Sequence, residues 1–311
     1  MRVLTRINPR AASDPTLSSS RGLAEVGLRS RRWVVDRCLD EVLPGQPASG
    51  EHGGQEEVWA AVAPLLETPF ASVWALGGHF SGKSFTLFGD DSEESRGLVH
   101  RYIESIFSAE ATGTVFALLS LIVVEADEAV VDVFAGCTRH SFQGNLATIP
   151  SLGARALPVL PRVFCDSMRC KEALRLGLLA SSVHRARLLP LSNRSHLVVQ
   201  LSHFHRDAED TDSSMKTVTF AEISSLELLP DPSSTNDRLA GGTIRNVSAR
   251  TLKELVLKGP FLQKSASVLS YFLHDALSYV IHENILLRFL SHLLAGKCNC
   301  ARLPPVRNLR F

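Results

Sequence analysis

The sequence predicts an α/β fold in which a central, mostly parallel β-sheet is flanked by helices. Short apolar segments alternate with amphipathic segments along most of the 311 residues, as strands and helices do in such folds. Hydrophobic residues make up 45% of the chain and charged residues 21%, so it can bury a sizeable core and is not disordered as a whole. Because we find neither an internal repeat nor an interdomain linker, we treat residues 1–311 as a single domain.

The individual elements follow from hydrophobic periodicity. In the segment 55–66, for example, Val58, Val62 and Leu65 share one face of a helix. Loops rich in Gly, Ser and Asp separate several of the segments. The predicted strands are 2–7, 72–76, 115–125, 196–203 and 217–223, and the predicted helices are 55–66, 83–89, 97–107, 167–180, 248–258 and 265–279.

The two ends of the chain are expected to be less regular. Residues 1–9 should hold the first strand, residues 10–32 a flexible loop and residues 298–311 a tail. Residues 1–32 are rich in Arg and Ser with few acidic residues, a composition that organellar transit peptides share. A short strand stopped by Pro9 is the alternative that we favour for the first residues.

Composition also excludes some classes of function. The formal net charge of +1 argues against a chain-wide surface for nucleic acid or membranes, although residues 238–311 carry a local net charge of +8. The most apolar run, 115–124, is too short to cross a bilayer, which needs about 20 apolar residues. Cys298 and Cys300 could bind a metal or form a disulfide, but two free thiols in a reducing compartment are favoured.

One motif carries specific chemistry. Residues 77–84 read GGHFSGKS and match G-x-x-x-x-G-K-[ST], the phosphate-binding loop, whose backbone N–H groups cradle phosphates. A chance match in a glycine turn is the alternative, but a predicted strand before the motif and a predicted helix after it favour a nucleotide site. The predicted phosphate-binding residues are Gly77, Gly78, His79, Phe80, Ser81, Gly82, Lys83 and Ser84.

The sequence around this loop resembles the kinesin motor domain. Residues 73–89, VWALGGHFSGKSFTLFG, are similar to the family pattern IFAYGQTGSGKTYTMxG, and residues 192–196, SNRSH, to the first switch, SSRSH. Weaker matches to other kinesin motifs follow along nearly the whole chain, in the same order as in the family. They are QEEVW at 55–59 for QxxVF, GLVHR at 97–101 for GIIPR, DEAVVDVF at 127–134 for NExVxDLL, and residues 267–277 for SKLTxLLQDSL.

This resemblance implies a P-loop NTPase fold that binds ATP and Mg²⁺. Lys83 would neutralise the β- and γ-phosphates and Ser84 would ligate the metal. The resemblance also places Arg6 and Pro9 beside the adenine, Ser195 in the first switch, and His196 in a packing role. The remaining candidates are Arg194 and Glu227, which form a salt bridge around the reacting water in the family but could here be unrelated surface charges.

The implied partner is the microtubule. Tubulin has an acidic surface, and the basic segment 238–311 corresponds to the track-binding part of a kinesin motor. Lys253, Lys258 and Lys264 are the candidate contacts, unless they only keep helix faces in solvent. No nucleic-acid partner and no membrane span are expected, and the location would be the cytoskeleton of the cytoplasm.

Departures from the family pattern put hydrolysis in question. In the first switch, Leu189 stands where the family has Asn, and Asn193 stands where it has Ser. In the second switch, which reads DLAGSE in the family, Glu222 replaces the Asp and Ser225 replaces the Gly. We therefore expect a slow ATPase, with a pseudo-motor that binds nucleotide without productive hydrolysis as the alternative. A small-molecule P-loop kinase is a third possibility, but it leaves the motif at 192–196 unexplained.

Overall fold

The computed structural model describes the chain in segments. These are residues 2–7, 17–19, 25–28, 31–34, 37–38, 55–76, 81–90, 95–108, 114–125, 128–140, 159, 161–187, 195–206, 213–224, 268 and 284–290. Only the backbone is described for the strands before residue 55 and after residue 283. The predicted helices at 248–258 and 265–279 and the predicted tail lie outside these residues, except for Val268.

A ten-stranded mixed sheet forms the centre of the molecule, in the order β5-β1-β13-β6-β12-β11-β7-β8-β9, with β10 paired to β7. Its strands are β1 (Arg2–Ile7), β5 (Arg37–Cys38), β6 (Phe70–Leu76), β7 (Thr114–Val124), β8 (Val130–Asp132), β9 (Thr138–His140), β10 (Arg162–Phe164), β11 (His196–Arg206), β12 (Ser213–Glu222) and β13 (Asn284–Leu290).

The expectation of a mostly parallel sheet is correct for only part of it. In the spatial order of the sheet, neighbouring strands are parallel from β5 to β12 and antiparallel from β12 to β9. Strands β11 and β12 follow each other closely in the chain, and a short connection allows only antiparallel pairing, because parallel neighbours need a long crossover. The α/β class predicted from the sequence is confirmed.

Among the described residues, four helices pack against the sheet: α1 (Gln55–Val62), α2 (Lys83–Phe88), α3 (Leu98–Ile106) and α4 (Ser167–Arg187). A 3₁₀ turn, Ala63–Leu66, continues α1 at Pro64, which cannot extend an α-helix without losing a hydrogen bond. Helix α4 runs seven residues beyond the predicted end at residue 180. None of the described helices is long and apolar enough to cross a membrane.

The four described helices cover one face of the sheet. Strand residues alternate between the faces, so that Val73 and Ala75 of β6 join the main core with α1 to α4, whereas Trp74 joins a smaller core on the opposite face. In α3 the buried residues form one stripe along the helix: Leu98, Val99, Tyr102, Ile103 and Ile106.

The expectation of a flexible loop at 10–32 is wrong for three segments. Leu17–Ser19 (β2), Glu25–Leu28 (β3) and Arg31–Val34 (β4) form a separate antiparallel sheet, in which Val26 pairs with Trp33. β-Branched and aromatic residues favour strands. The Arg- and Ser-rich composition obscured this local pattern.

Candidate nucleotide site

The described part of the phosphate loop is the junction between β6 and α2. Gly82 precedes α2 with φ +88°, a left-handed conformation that glycine adopts without steric cost. Lys83, the first residue of α2, and Ser81 are both buried. The strand–loop–helix order expected around the motif is therefore present, whereas Gly77, Gly78, His79 and Phe80 lie outside the described residues.

Ser84 is joined to the end of β12. Its hydroxyl donates a hydrogen bond of 2.8 Å to Oε1 of Glu222, the residue that stands where the family has the second-switch Asp. Strands β6 and β12 are parallel neighbours, with Glu222 paired to Ala75. Their carboxyl ends meet at one edge of the sheet, where ligands of open α/β sheets bind, so the sheet itself brings Ser84 and Glu222 together.

Arg185 completes this polar group from the last turn of α4. Its Nε donates a hydrogen bond of 3.1 Å to Oγ of Ser195, and its Nη1 lies 3.6 Å from Oε2 of Glu222. Ser195 is buried and directly precedes β11. The network of Ser84, Glu222, Arg185 and Ser195, which we call the switch network, therefore joins the phosphate loop to residues from both predicted switches.

The sequence did not single out Arg185. The predicted helix ended at residue 180, which left Arg185 in an unassigned connection. The signal that could have found it is the basic last turn of α4, formed by His184, Arg185 and Arg187 a few residues before the first switch.

His196 connects the two switch segments through the backbone. It is fully buried, and its Nδ1 accepts a hydrogen bond of 3.0 Å from the backbone N–H of Ser224. This ties the beginning of β11 to the residues just after β12. The packing role expected for His196 agrees with this position.

The oxygen atoms at Ser84 and Glu222 fit a magnesium ion. Mg²⁺ prefers hard oxygen ligands at about 2.0–2.1 Å in an octahedron, whose neighbouring ligands lie about 2.9 Å apart. Ser84 Oγ and Glu222 Oε1 lie 2.8 Å apart. Among the described residues, no group of three or more His, Cys, Asp or Glu side chains could hold a metal by itself, so phosphate oxygens and water would supply the remaining ligands.

The other predicted site residues remain predictions. Arg194, Glu227 and Pro9 lie outside the described residues, and Arg6 is described only as part of the β1 backbone. The proposed salt bridge between Arg194 and Glu227 therefore has no geometry here, nor do the replacements at Leu189, Asn193 and Ser225.

Comparison with known proteins identifies the fold. No family model matches the chain. A solved structure described as that of a fast kinesin superposes with a TM-score of 0.70 at 16% identity, covering 94% of this chain and 85% of that one. The chain has the fold of a kinesin motor domain.

A curated kinesin gives independent support at the level of sequence. Carboxy-terminal kinesin 2 of Xenopus laevis is 24% identical over 259 residues, which cover 78% of this chain and 39% of that protein. The resemblance to kinesin motor domains predicted from the motifs is thus confirmed. The kinesin-like chain corresponds to about two fifths of the length of this relative.

Proposed function

We propose that the chain is a kinesin-like motor domain that binds MgATP, acts on microtubules and hydrolyses ATP slowly. The observation that carries this proposal is the switch network. In it, Ser84 of the phosphate loop, Glu222 of the second switch and Ser195 of the first switch lie within one hydrogen-bonded and charged group. Nucleotide-dependent switching needs such a connection between phosphate and switches.

In this proposal each residue has a defined task. Lys83 neutralises the β- and γ-phosphates, and Ser84 and Glu222 hold Mg²⁺ directly or through water. The bound metal supplies electrostatic stabilisation of the transferred phosphoryl group. Arg194 and Glu227 orient the attacking water, with Ser195 beside them in the first switch. Arg6 and Pro9 contact the adenine.

The relatives support the choice of track. The curated relative is named a kinesin, and the solved fast kinesin is described in terms of its ATPase mechanism and its interactions with microtubules. We extend this partner to the present chain, with the basic segment 238–311 as the contacting part and the cytoskeleton as its location. Exposed charges are screened over about 8 Å at physiological ionic strength, so binding should weaken steeply with salt.

Two assays test this function. Steady-state ATPase activity should rise when microtubules are added at low salt, and the chain should co-pellet with microtubules in a nucleotide-dependent manner. Changing Lys253, Lys258 and Lys264 together to Glu should abolish pelleting. A control places Glu at two exposed arginines of α4, Arg169 and Arg187, which lie outside 238–311 and should leave pelleting unchanged. Absence of both stimulation and pelleting would refute a microtubule motor.

The pseudo-motor alternative is favoured by the contact between Glu222 and Ser84. The longer Glu side chain reaches the Ser84 hydroxyl directly, at 2.8 Å, so a metal would have to replace a hydrogen bond that is already formed. Both alternatives predict nucleotide binding, but only the motor releases phosphate at a useful rate. Single-turnover phosphate release distinguishes them.

Variants that restore the family's residues can show whether the switch replacements cause slow phosphate release. Glu222→Asp, Asn193→Ser and Ser225→Gly together should raise the rate by more than the product of the single effects, because in this proposal all three act on the same metal and phosphate, and effects on a shared site are not additive. A wild-type rate typical of a working motor would refute slow hydrolysis.

A further inference from the structure

Arg185 brings a fixed positive charge to the place where a metal ion is expected. Its guanidinium is held by Ser195 through Nε and faces Glu222 through Nη1. Its side chain is 23% exposed and that of Glu222 only 9%. An ion pair of this burial is screened less by solvent than a pair on the open surface.

The charge balance of the site depends on this arginine. Glu222 is a buried carboxylate at the end of β12, and the hydroxyl of Ser84 can donate a hydrogen bond to it but cannot neutralise its charge. A nucleoside diphosphate bound at the phosphate loop would place further negative charge beside Glu222. Without a divalent cation, these like charges repel each other unless another cation compensates.

We propose that Arg185 is a positioning residue of the nucleotide site that substitutes in part for the divalent cation by neutralising Glu222. This inference rests on the proposed nucleotide-binding function and adds to it a reduced dependence on Mg²⁺. Lys83 is also a cation of this site, but it lies in the phosphate loop itself, whereas Arg185 reaches the site from α4.

The test measures the affinity for N-methylanthraniloyl-ADP by fluorescence, in Mg²⁺ and in EDTA. The ratio of the two dissociation constants reports how much binding depends on the metal. In Arg185→Gln this ratio should rise about tenfold over the wild type, because affinity falls mainly in EDTA. Arg185→Lys keeps the charge and should stay close to the wild-type ratio.

Two further variants separate charge from structure. Arg187→Gln makes the same change in charge at an exposed position of the same helix and should leave the ratio unchanged. Adding Glu222→Gln to Arg185→Gln removes the carboxylate that needs neutralising and should return the ratio towards the wild-type value. Thermal unfolding without nucleotide shows whether each variant is folded.

The possible failures are distinguishable. If Arg185→Gln weakens binding equally in Mg²⁺ and EDTA, or if Arg185→Lys behaves as Arg185→Gln does, Arg185 does not substitute for the cation and the inference is wrong. If the wild-type chain does not bind the nucleotide even in Mg²⁺, the proposed function itself is wrong, and the inference falls with it.

Discussion

Lys83 is the residue on which nucleotide binding should depend most directly. It is buried at the first position of α2, next to the left-handed Gly82. Lys83→Ala removes a cation that would face the phosphates, and a charge-assisted hydrogen bond contributes about 1.5–3 kcal/mol. We therefore expect ATP affinity to fall by at least tenfold and the ATP-induced rise in melting temperature to disappear, as measured by calorimetric titration and thermal unfolding.

Lys171→Ala is the matched control for that experiment. Lys171 lies on α4, where its Nζ contacts Glu104 at 2.9 Å, away from the phosphate loop. Its replacement should leave ATP affinity unchanged. Unchanged affinity in Lys83→Ala would show that the loop is not the binding site.

Two glycines with positive φ differ in the space that a side chain would have. Gly89 and Gly136 have nearly the same φ, +73° and +70°. A Cβ at Gly89 would lie 2.0 Å from the backbone oxygen of Ser95 and 2.5 Å from the nitrogen of Gly97, whereas one at Gly136 would meet nothing within 4 Å. The left-handed conformation costs an alanine about 1–2 kcal/mol. Gly89 has ψ −156°, a region that is almost restricted to glycine and costs other residues about 1–3 kcal/mol, and a backbone clash adds about 1–3 kcal/mol.

The predicted order of stability follows from this difference. Gly136→Ala should lower the free energy of unfolding by about 1–2 kcal/mol and Gly89→Ala by about 2–6 kcal/mol. Urea titration followed by circular dichroism measures both. Equal losses in the two variants would show that the contact between Gly89 and the 95–97 segment is not maintained.

At the scale of elements, a carboxylate connects α3 to α4. Glu104 of α3 accepts hydrogen bonds from Lys171 of α4 and from Arg96. Burial alone would raise the pKa of Glu104, but the hydrogen bonds and charges of these two cations outweigh it and hold the pKa below its usual value. A lowered folded-state pKa stabilises the protein at neutral pH and loses that contribution as pH falls through the folded-state value.

Glu104→Gln should therefore reduce stability in a pH-dependent way. At pH 7 we expect a loss of about 1 kcal/mol, since the carboxylate is partly exposed. The difference from the wild type should persist down to about pH 5 and shrink below the unfolded-state pKa of about 4.3. Urea unfolding between pH 3 and pH 7 measures it. Glu172→Gln, whose partner Arg175 lies on the same helix, should have a smaller effect; a difference that widens in acid would contradict the assignment.

The elements also show how far sequence patterns could predict this fold. Strand β1 and the starts of α1, α2 and α4 were predicted to the residue, because each follows a clear hydrophobic pattern or motif. Strand β13 was missed. Its sequence, NILLRFL, is a short apolar run in a helix-like context, and such runs do not distinguish a buried strand from a helix by periodicity.

The site was predictable only where a motif is contiguous. The residues 81–84 and Ser195 belong to recognisable motifs, and they lie at the junction of β6 with α2 and directly before β11. Arg185 belongs to no motif, and its role depends on α4 bringing it to Glu222, 37 positions later in the chain. A contact of this kind comes from tertiary packing and leaves no local signal in a single sequence.

At the scale of the whole molecule, β13 joins the two ends of the chain. It lies between β1 and β6 and pairs in parallel with both. Among the described strands, β1 and β5 reach the rest of the large sheet only through β13. The strand that leads into the phosphate loop therefore depends on residues more than 200 positions later, and folding of this half of the sheet must bring distant segments together.

Leu287→Pro tests this dependence. Leu287 pairs with Leu4 of β1 on one side and with Ala75 of β6 on the other. Proline removes a backbone donor and does not fit a central strand, so we expect a loss of at least about 3 kcal/mol, together with faster amide hydrogen exchange in β1 and weaker ATP binding. The matched control is Val163→Pro in β10. Among the described strands β10 has a single neighbour, β7, and the side chain of Val163 is exposed. This variant should lose less stability, and amide exchange in β1 should be unchanged, because β10 lies at the far side of the sheet. If Leu287→Pro left β1 as protected as in the wild type, the two ends of the chain would not meet through this strand.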